Sequence, residues 1–219
     1  MSLTRRLEPE VMDTPAEAED YDAMDHSAVN RVFVSDFLAA WSGANPVLDV
    51  GTGTAQIPIE LCRQDGRPRV TGIDLSEEML RLGRRNVATA KMVERIQLQK
   101  VDAKKLPFVD GAFAAVISNS IIHHIPRPAG TMVEMVRVCA KGGCLFVRDL
   151  LRPHDADELT RLVDQHAAGA NEHQRQLFAD SLNAALTIDE VREIITSLGF
   201  APQAVTATSD RHWTWVAHR

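Results

Sequence analysis

Val47-Leu48-Asp49-Val50-Gly51-Thr52-Gly53-Thr54 is the stretch on which the fold turns. It reads as a short buried strand, a tight glycine turn and a helix start near Ala55, with Thr54 as the cap and Pro58 tolerated in the first turn. In an open α/β sheet, ligands bind outside the carboxyl ends of the strands. Gly51 and Gly53 lack the Cβ atoms that would keep a ligand from the backbone, and N–H groups at a helix start suit an anion. Two phosphate loops are excluded. No Lys follows Gly53, so the NTPase ending is missing, and Gln56 stands where a dinucleotide fingerprint needs its last glycine. Asp49 would also repel a pyrophosphate and suits a cationic ligand.

Outward from that turn, the pattern alternates strand and helix. Val32, Phe33, Phe37, Leu38 and Trp41 recur at helical spacing over residues 29–41, until Ser42-Gly43-Ala44-Asn45-Pro46 breaks the run. Strands are expected at 69–74, 96–101, 113–118 and 144–147. Ser76 caps a helix whose first turn carries Glu77 and Glu78, and another helix spans 128–140 and stops at Gly142-Gly143. Such alternation predicts a mostly parallel α/β sheet with helices on both faces. Residues 155–185 are helical and strand-free, and Thr187-Ile188-Asp189-Glu190 is a capping box for a helix ending at Gly199. Residues 203–208 and 212–218 then form an antiparallel hairpin at one sheet edge. Trp213 and Trp215 share one face of it, read as core.

Composition limits the function. With 219 residues, 45% hydrophobic and 25% charged, the chain is ordinary globular material for one embellished domain. A net charge of -6 argues against bulk phosphate attraction to nucleic acid. Cys62, Cys139 and Cys144 are too few and too oddly spaced for a disulfide framework, so reduced, buried thiols in the cytoplasm are expected. No apolar run is long enough to span a bilayer, and no secretory signal follows Arg5 and Arg6. Residues 8–25 hold eight acids and no Lys or Arg, which suits a solvated arm. Tyr21, Met24 and His26 at its end leave room for a lid over a ligand.

The motifs resemble those of the class I S-adenosylmethionine-dependent methyltransferases, a Rossmann-like family. Asp49-Val50-Gly51-Thr52-Gly53 is similar to their first motif, although Ala55 replaces a usual glycine. Gly72-Ile73-Asp74-Leu75-Ser76 resembles the second, Asp102-Ala103 before Leu106-Pro107-Phe108 the third, and residues 113–124 the fourth. The small-molecule branch that includes ubiquinone and menaquinone C-methyltransferases is the nearest in pattern, with Ala114 where that branch often has Asp. The resemblance implies S-adenosylmethionine as methyl donor and S-adenosylhomocysteine as product. It implies cofactor contacts from Tyr21, Asp49, Gly51, Thr52, Gly53, Asp74, Leu75, Met79, Asp102, Ala103, Ser118 and Asn119. Asp74 would take the ribose hydroxyls and Asp102 the adenine amine, while the Gly51–Thr54 turn would take the carboxylate of the amino-acid tail.

The expected organisation is a single domain, 1–219: an acidic arm or lid at 1–28, a cofactor core at 47–147, a helical acceptor-side insertion at 149–186, and a helix with the terminal hairpin at 187–219. His166, His173, Arg175 and Phe178 in that insertion suit an acceptor pocket or, equally, a solvated helix face. His123 and His124 are the catalytic candidates, as a proton-abstracting base or as residues that orient the loop. No metal is expected, because adjacent residues rarely aim both rings at one ion. The partner is a small-molecule methyl acceptor, with no nucleic acid and no membrane span, and a homodimer is compatible with the chain. A methyltransferase acting on RNA or protein, a nicotinamide oxidoreductase, and a silent binding module on this fold are the alternatives.

Overall fold

A computed structural model of the chain describes residues 3–8 and 13–219. Part of the acidic arm, residues 9–12, lies outside that range. The elements are α1 (Pro15–Ala23), α2 (Ser27–Ala40), β1 (Val47–Val50), α3 (Gln56–Gln64), β2 (Val70–Asp74), α4 (Glu77–Thr89), β3 (Ile96–Lys100), β4 (Phe113–Asn119), α5 (Pro128–Val138), β5 (Cys139–Leu150), α6 (Ala156–His166), α7 (Glu172–Ala184), α8 (Ile188–Ser197), β6 (Val205–Ala207) and β7 (His212–His218). Short 3-10 turns lie at Ile122–His124 and Pro202–Ala204.

The seven strands follow the order β3-β2-β1-β4-β5-β7-β6. β1 pairs in parallel with β2 and with β4, β2 pairs in parallel with β3, and β6 pairs antiparallel with β7. The mostly parallel sheet with its C-terminal antiparallel hairpin is the architecture expected from the strand–helix alternation. Strand order reverses between β1 and β4, and such a switch point is where an open sheet leaves a crevice for a ligand.

Two compact units share the chain. Among the described residues, one comprises 13–119, 130–147 and 216–219, and the other 3–8, 120–129 and 148–215. The first has a core of Phe33, Phe37, Trp41, Val47, Leu61, Ile117 and Phe146 around β1, with Phe33 and Phe37 edge-on to Phe146. The second packs Leu150, Leu162, Val163, Leu182 and Ala185 beneath α6 and α7. Trp213 and Trp215 are both fully buried, as their shared face implies, with Phe200 edge-on to Trp215. The three cysteines are free and buried.

Three local readings differ from the sequence expectation. Thr54 does not cap α3: Ala55 is the N-cap residue, in the left-handed region at φ 64°, with no side-chain cap bond. α5 ends at Val138, and Gly142-Gly143 lie inside β5 instead of terminating a helix. The reason is pairing with the chain end, since the Gly142 amide donates to the Arg219 carbonyl (2.6 Å) and the Arg219 amide to that of Gly143 (3.0 Å). The acidic run is not simply a solvated arm. α1 opens with a Thr14–Glu17 capping box and buries Ala18 against Met79 and Leu82 of α4, with Tyr21 packed alongside.

Candidate active site

The first unit gathers most of the expected cofactor residues at the carboxyl ends of β1, β2 and β4. Asp49 is buried, one residue before the end of β1. Burial pushes its carboxyl up to about 7, and the charge of Asp74 adds to the rise. Asp74 closes β2, and burial raises its carboxyl as well, against the pull of the backbone amides bonded to it. Those bonds are Gly53 N–H to Oδ2 (2.8 Å) and Ser76 N–H to Oδ1 (2.9 Å). Among the described residues no Lys or Arg forms an ion pair with either acid. A buried and a half-buried carboxyl side by side, with no cation among the described residues, favour hydrogen-bond donors and positive charge.

The turn between them is shaped by close packing. Gly51 and Gly53 hold φ of 75° and 52°, a region open to glycine. Gly72 faces the buried Thr52, and a Cβ there would lie 2.6 Å from the Thr52 hydroxyl and 2.8 Å from Leu98. The amides of this turn point inward. Gly51 and Thr52 both donate to the Ile73 carbonyl (2.9 Å each), and Gly53 donates to Asp74. These three donors are spent on fixing the turn, which leaves of the expected Gly51–Thr54 carboxylate cradle only Thr54. Charge near the turn is acidic and suits the ammonium end of an amino acid instead.

Tyr21 comes close to the turn, its ring 3.9 Å from where a Cβ of Gly53 would be. Burial drives its hydroxyl up to about 12, helped by Asp74 and Asp49, so the phenol stays protonated. Asp22 anchors α1 by accepting from Asn86 (2.8 Å) and pairing with Arg85 (3.2 Å). Leu75 is half-buried beside Asp74, and Met79 is buried in the first turns of α4. Ser118 is buried and donates to the Val50 carbonyl (2.9 Å), while Asn119 next to it has a buried Oδ1 with no hydrogen-bond partner. Asp102 and Ala103 follow β3 and are only half-buried, with Asp102 paired to Lys104 at 3.2 Å.

His123 and His124 belong to the second unit, and their surroundings differ from the expectation. Their rings stack at 4.1 Å between centroids, and both face one carboxylate. Glu8 Oε1 lies 3.4 Å from His123 Nε2 and 3.1 Å from His124 Nδ1. Behind His123, Asp149 Oδ1 bonds Nδ1 at 2.5 Å. Asp149 is held in turn by the amides of Ile122 (2.6 Å) and Leu150 (2.7 Å). Burial works against charge on both partners, but their attraction and hydrogen bond outweigh it, holding the His123 imidazolium up and the Asp149 carboxyl down. His123 is 3% exposed and sandwiched between two carboxylates, so it is not placed to take a proton from an acceptor. That corrects its reading as a base.

Glu8, Arg5 and Asp149 are the residues that sequence reasoning missed. Arg5 ties the N-terminus down through the carbonyls of His123 (3.1 Å), Ile125 (3.0 Å) and Ala184 (2.7 Å). Arg148-Asp149 inside an otherwise apolar strand end was the available signal for Asp149. Glu8 had none, being one acid among eight. Elsewhere in this unit His166 pairs with Asp210 (2.9 Å) and Arg175 with Asp164, which gives both polar groups local partners.

Comparison with known proteins agrees with this geometry. Residues 47–143, from β1 into β5, match the methyltransferase domain family. Those residues are similar to a methyltransferase domain. The demethylmenaquinone methyltransferase of Porphyromonas gingivalis is 38% identical over 108 residues, 49% of this chain and 44% of that one. The phosphatidylethanolamine N-methyltransferase of Cereibacter sphaeroides is 38% identical over 97 residues, 44% of this chain and 46% of that one. The chain thus spans about half the length of the curated relatives it matches. A SAM-dependent methyltransferase from Aquifex aeolicus has the same fold, with a TM-score of 0.68 at 18% identity over 93% of this chain and 97% of that one. No described helix is long and apolar enough to cross a membrane.

Proposed function

We propose that this protein transfers the methyl group of S-adenosylmethionine to a small organic acceptor and releases S-adenosylhomocysteine. The observation that carries the reading is the pair of buried Asp49 and half-buried Asp74, two carboxyls without a basic partner among the described residues, at adjacent strand ends of the segment that matches the methyltransferase domain family. Asp74 accepts the Gly53 amide on Oδ2 and the Ser76 amide on Oδ1, and a carboxylate has lone pairs beyond these to suit ribose hydroxyls. Asp49 suits the ammonium of the methionine tail. Leu75, Met79, Asp102, Ala103, Ser118 and Asn119 complete the proposed cofactor set, and Tyr21 on α1 covers the glycine turn.

Methyl transfer is an in-line displacement: the acceptor's lone pair forms the new bond as the carbon–sulfonium bond breaks, and the electron pair stays on sulfur. The protein's share is mainly placement, which for well-oriented reactants is worth about 7–11 kcal/mol. A base is needed only for an acceptor protonated at rest. Relatives named for a quinone and for a phospholipid amine leave the acceptor class at small organic molecule. Free, buried thiols fit a cytoplasmic location.

Calorimetric titration tests the reading. S-adenosylmethionine is expected to bind and NAD not, with Asp74→Ala weakening binding 10- to 100-fold while thermal unfolding reports that the variant is folded. Uptake of NAD alone would overturn the reading, and undiminished affinity in folded Asp74→Ala would remove the ribose assignment.

A further inference from the structure

We propose that Glu8, His123 and His124 form a binding site for a divalent transition-metal cation of the zinc type. Adjacent histidines were expected to point apart, yet one ligand atom from each of these three residues lies within 4.8 Å of the other two. A tetrahedral ion with bonds of about 2.0–2.1 Å to nitrogen and oxygen sets its ligand atoms about 3.3 Å apart. Glu8 Oε1 already stands 3.4 Å and 3.1 Å from the two ring nitrogens. That oxygen is buried and takes part in no hydrogen bond, while Glu8 Oε2 is held by the Ser181 hydroxyl at 3.2 Å.

The surroundings of His123 strengthen the assignment. A ligating histidine characteristically donates its other ring N–H to a carboxylate, which fixes the tautomer and aims the free nitrogen at the metal. Asp149 stands in that position, 2.5 Å from Nδ1, and is itself pinned by two backbone amides. Arg5 locks the carbonyls of His123 and Ile125, so the backbone carrying the rings is also tied. Two imidazoles and one carboxylate suit zinc or a neighbouring first-row ion, not magnesium or calcium, which prefer oxygen ligands throughout. Three protein ligands would leave a fourth position open for water or an anionic oxygen or sulfur ligand. All the residues involved belong to one compact unit, and the proposal does not rest on the methyl-transfer reading.

The test uses the full chain, stripped with a chelator and titrated with zinc chloride alone. One equivalent is expected to bind with micromolar or tighter affinity. Glu8→Gln and His124→Gln, both at positions less buried than His123, should each weaken it at least 10-fold, and Asp149→Asn by about 10- to 100-fold. X-ray absorption of the zinc-loaded chain should show a nitrogen and oxygen shell at about 2.0–2.1 Å. Absence of stoichiometric binding, unchanged affinity in folded Glu8→Gln and His124→Gln, or a sulfur shell near 2.3 Å from the cysteines would overturn the proposal.

Discussion

Ala55 carries more conformational strain than its plain side chain suggests. It caps α3 at φ 64°, fully buried, where the resemblance leads one to expect glycine. An L-residue there costs about 1–2 kcal/mol against the right-handed region, and glycine returns part of that gain as chain entropy. Ala55→Gly is therefore expected to stabilise the protein by about 0.5–1 kcal/mol, seen as a higher urea midpoint at constant m-value. An unchanged or lower midpoint would mean that the turn bears no such strain. Asp49 and Asp74 show a different kind of residue-level tension, in which burial raises both carboxyls while no Lys or Arg among the described residues pairs with either.

Among the elements, β2 is the one whose sequence leaves least freedom. Gly72 lies under Thr52 and Leu98, so a methyl group there meets atoms at 2.6 and 2.8 Å. Gly72→Ala should cost about 1–3 kcal/mol by overpacking and speed hydrogen exchange at the Thr52 amide, which bonds the next residue of the same strand. Exchange and stability both matching the parent would show that Thr52 turns aside freely. Two helix starts were read from a side chain that does the capping, whereas the Thr14–Glu17 box of α1 was passed over inside the acidic run. Ser76 accepts from the Met79 amide, and Thr187 forms its capping box with Glu190. The start of α3 was misread because its cap is a backbone conformation, which no side chain announces.

Across the chain, two buried titrating groups set opposing pH trends. Burial, with Arg211 and Arg148 nearby, lowers His212 to about 4, against the opposing pull of Asp149 and Asp210. Between about 4 and its ordinary value of 6.5 the unfolded chain binds the proton and the folded one does not, so this group makes stability rise with pH. Asp49 does the reverse: from 3.8 to about 7 the folded state holds the extra proton, so stability falls as pH rises. Each slope is at most about 1.4 kcal/mol per pH unit, and they largely cancel between pH 4 and 6.5. Melting curves should thus be flat there for these groups, tilt towards higher stability at higher pH in Asp49→Asn, and tilt the opposite way in His212→Gln. Parallel pH profiles for all three proteins would refute the opposition.

Local and periodic features carried most of the fold. Strand–glycine–helix punctuation, caps and the paired terminal runs each depend on neighbours within a few residues, and they led to the parallel sheet, its closing hairpin and the strand-end acids Asp49 and Asp74. What depended on distant pairing stayed hidden. The length of β5 comes from Arg219 pairing with Gly142-Gly143, and the inward-turned amides of the glycine loop come from the Ile73 carbonyl across the sheet. The cluster of Glu8, His123, His124 and Asp149 joins residues more than a hundred positions apart. Spacing along the chain describes which side chains share a strand or helix face, whereas their meeting across segments follows from packing and hydrogen bonding of the folded backbone, which no short window of sequence contains.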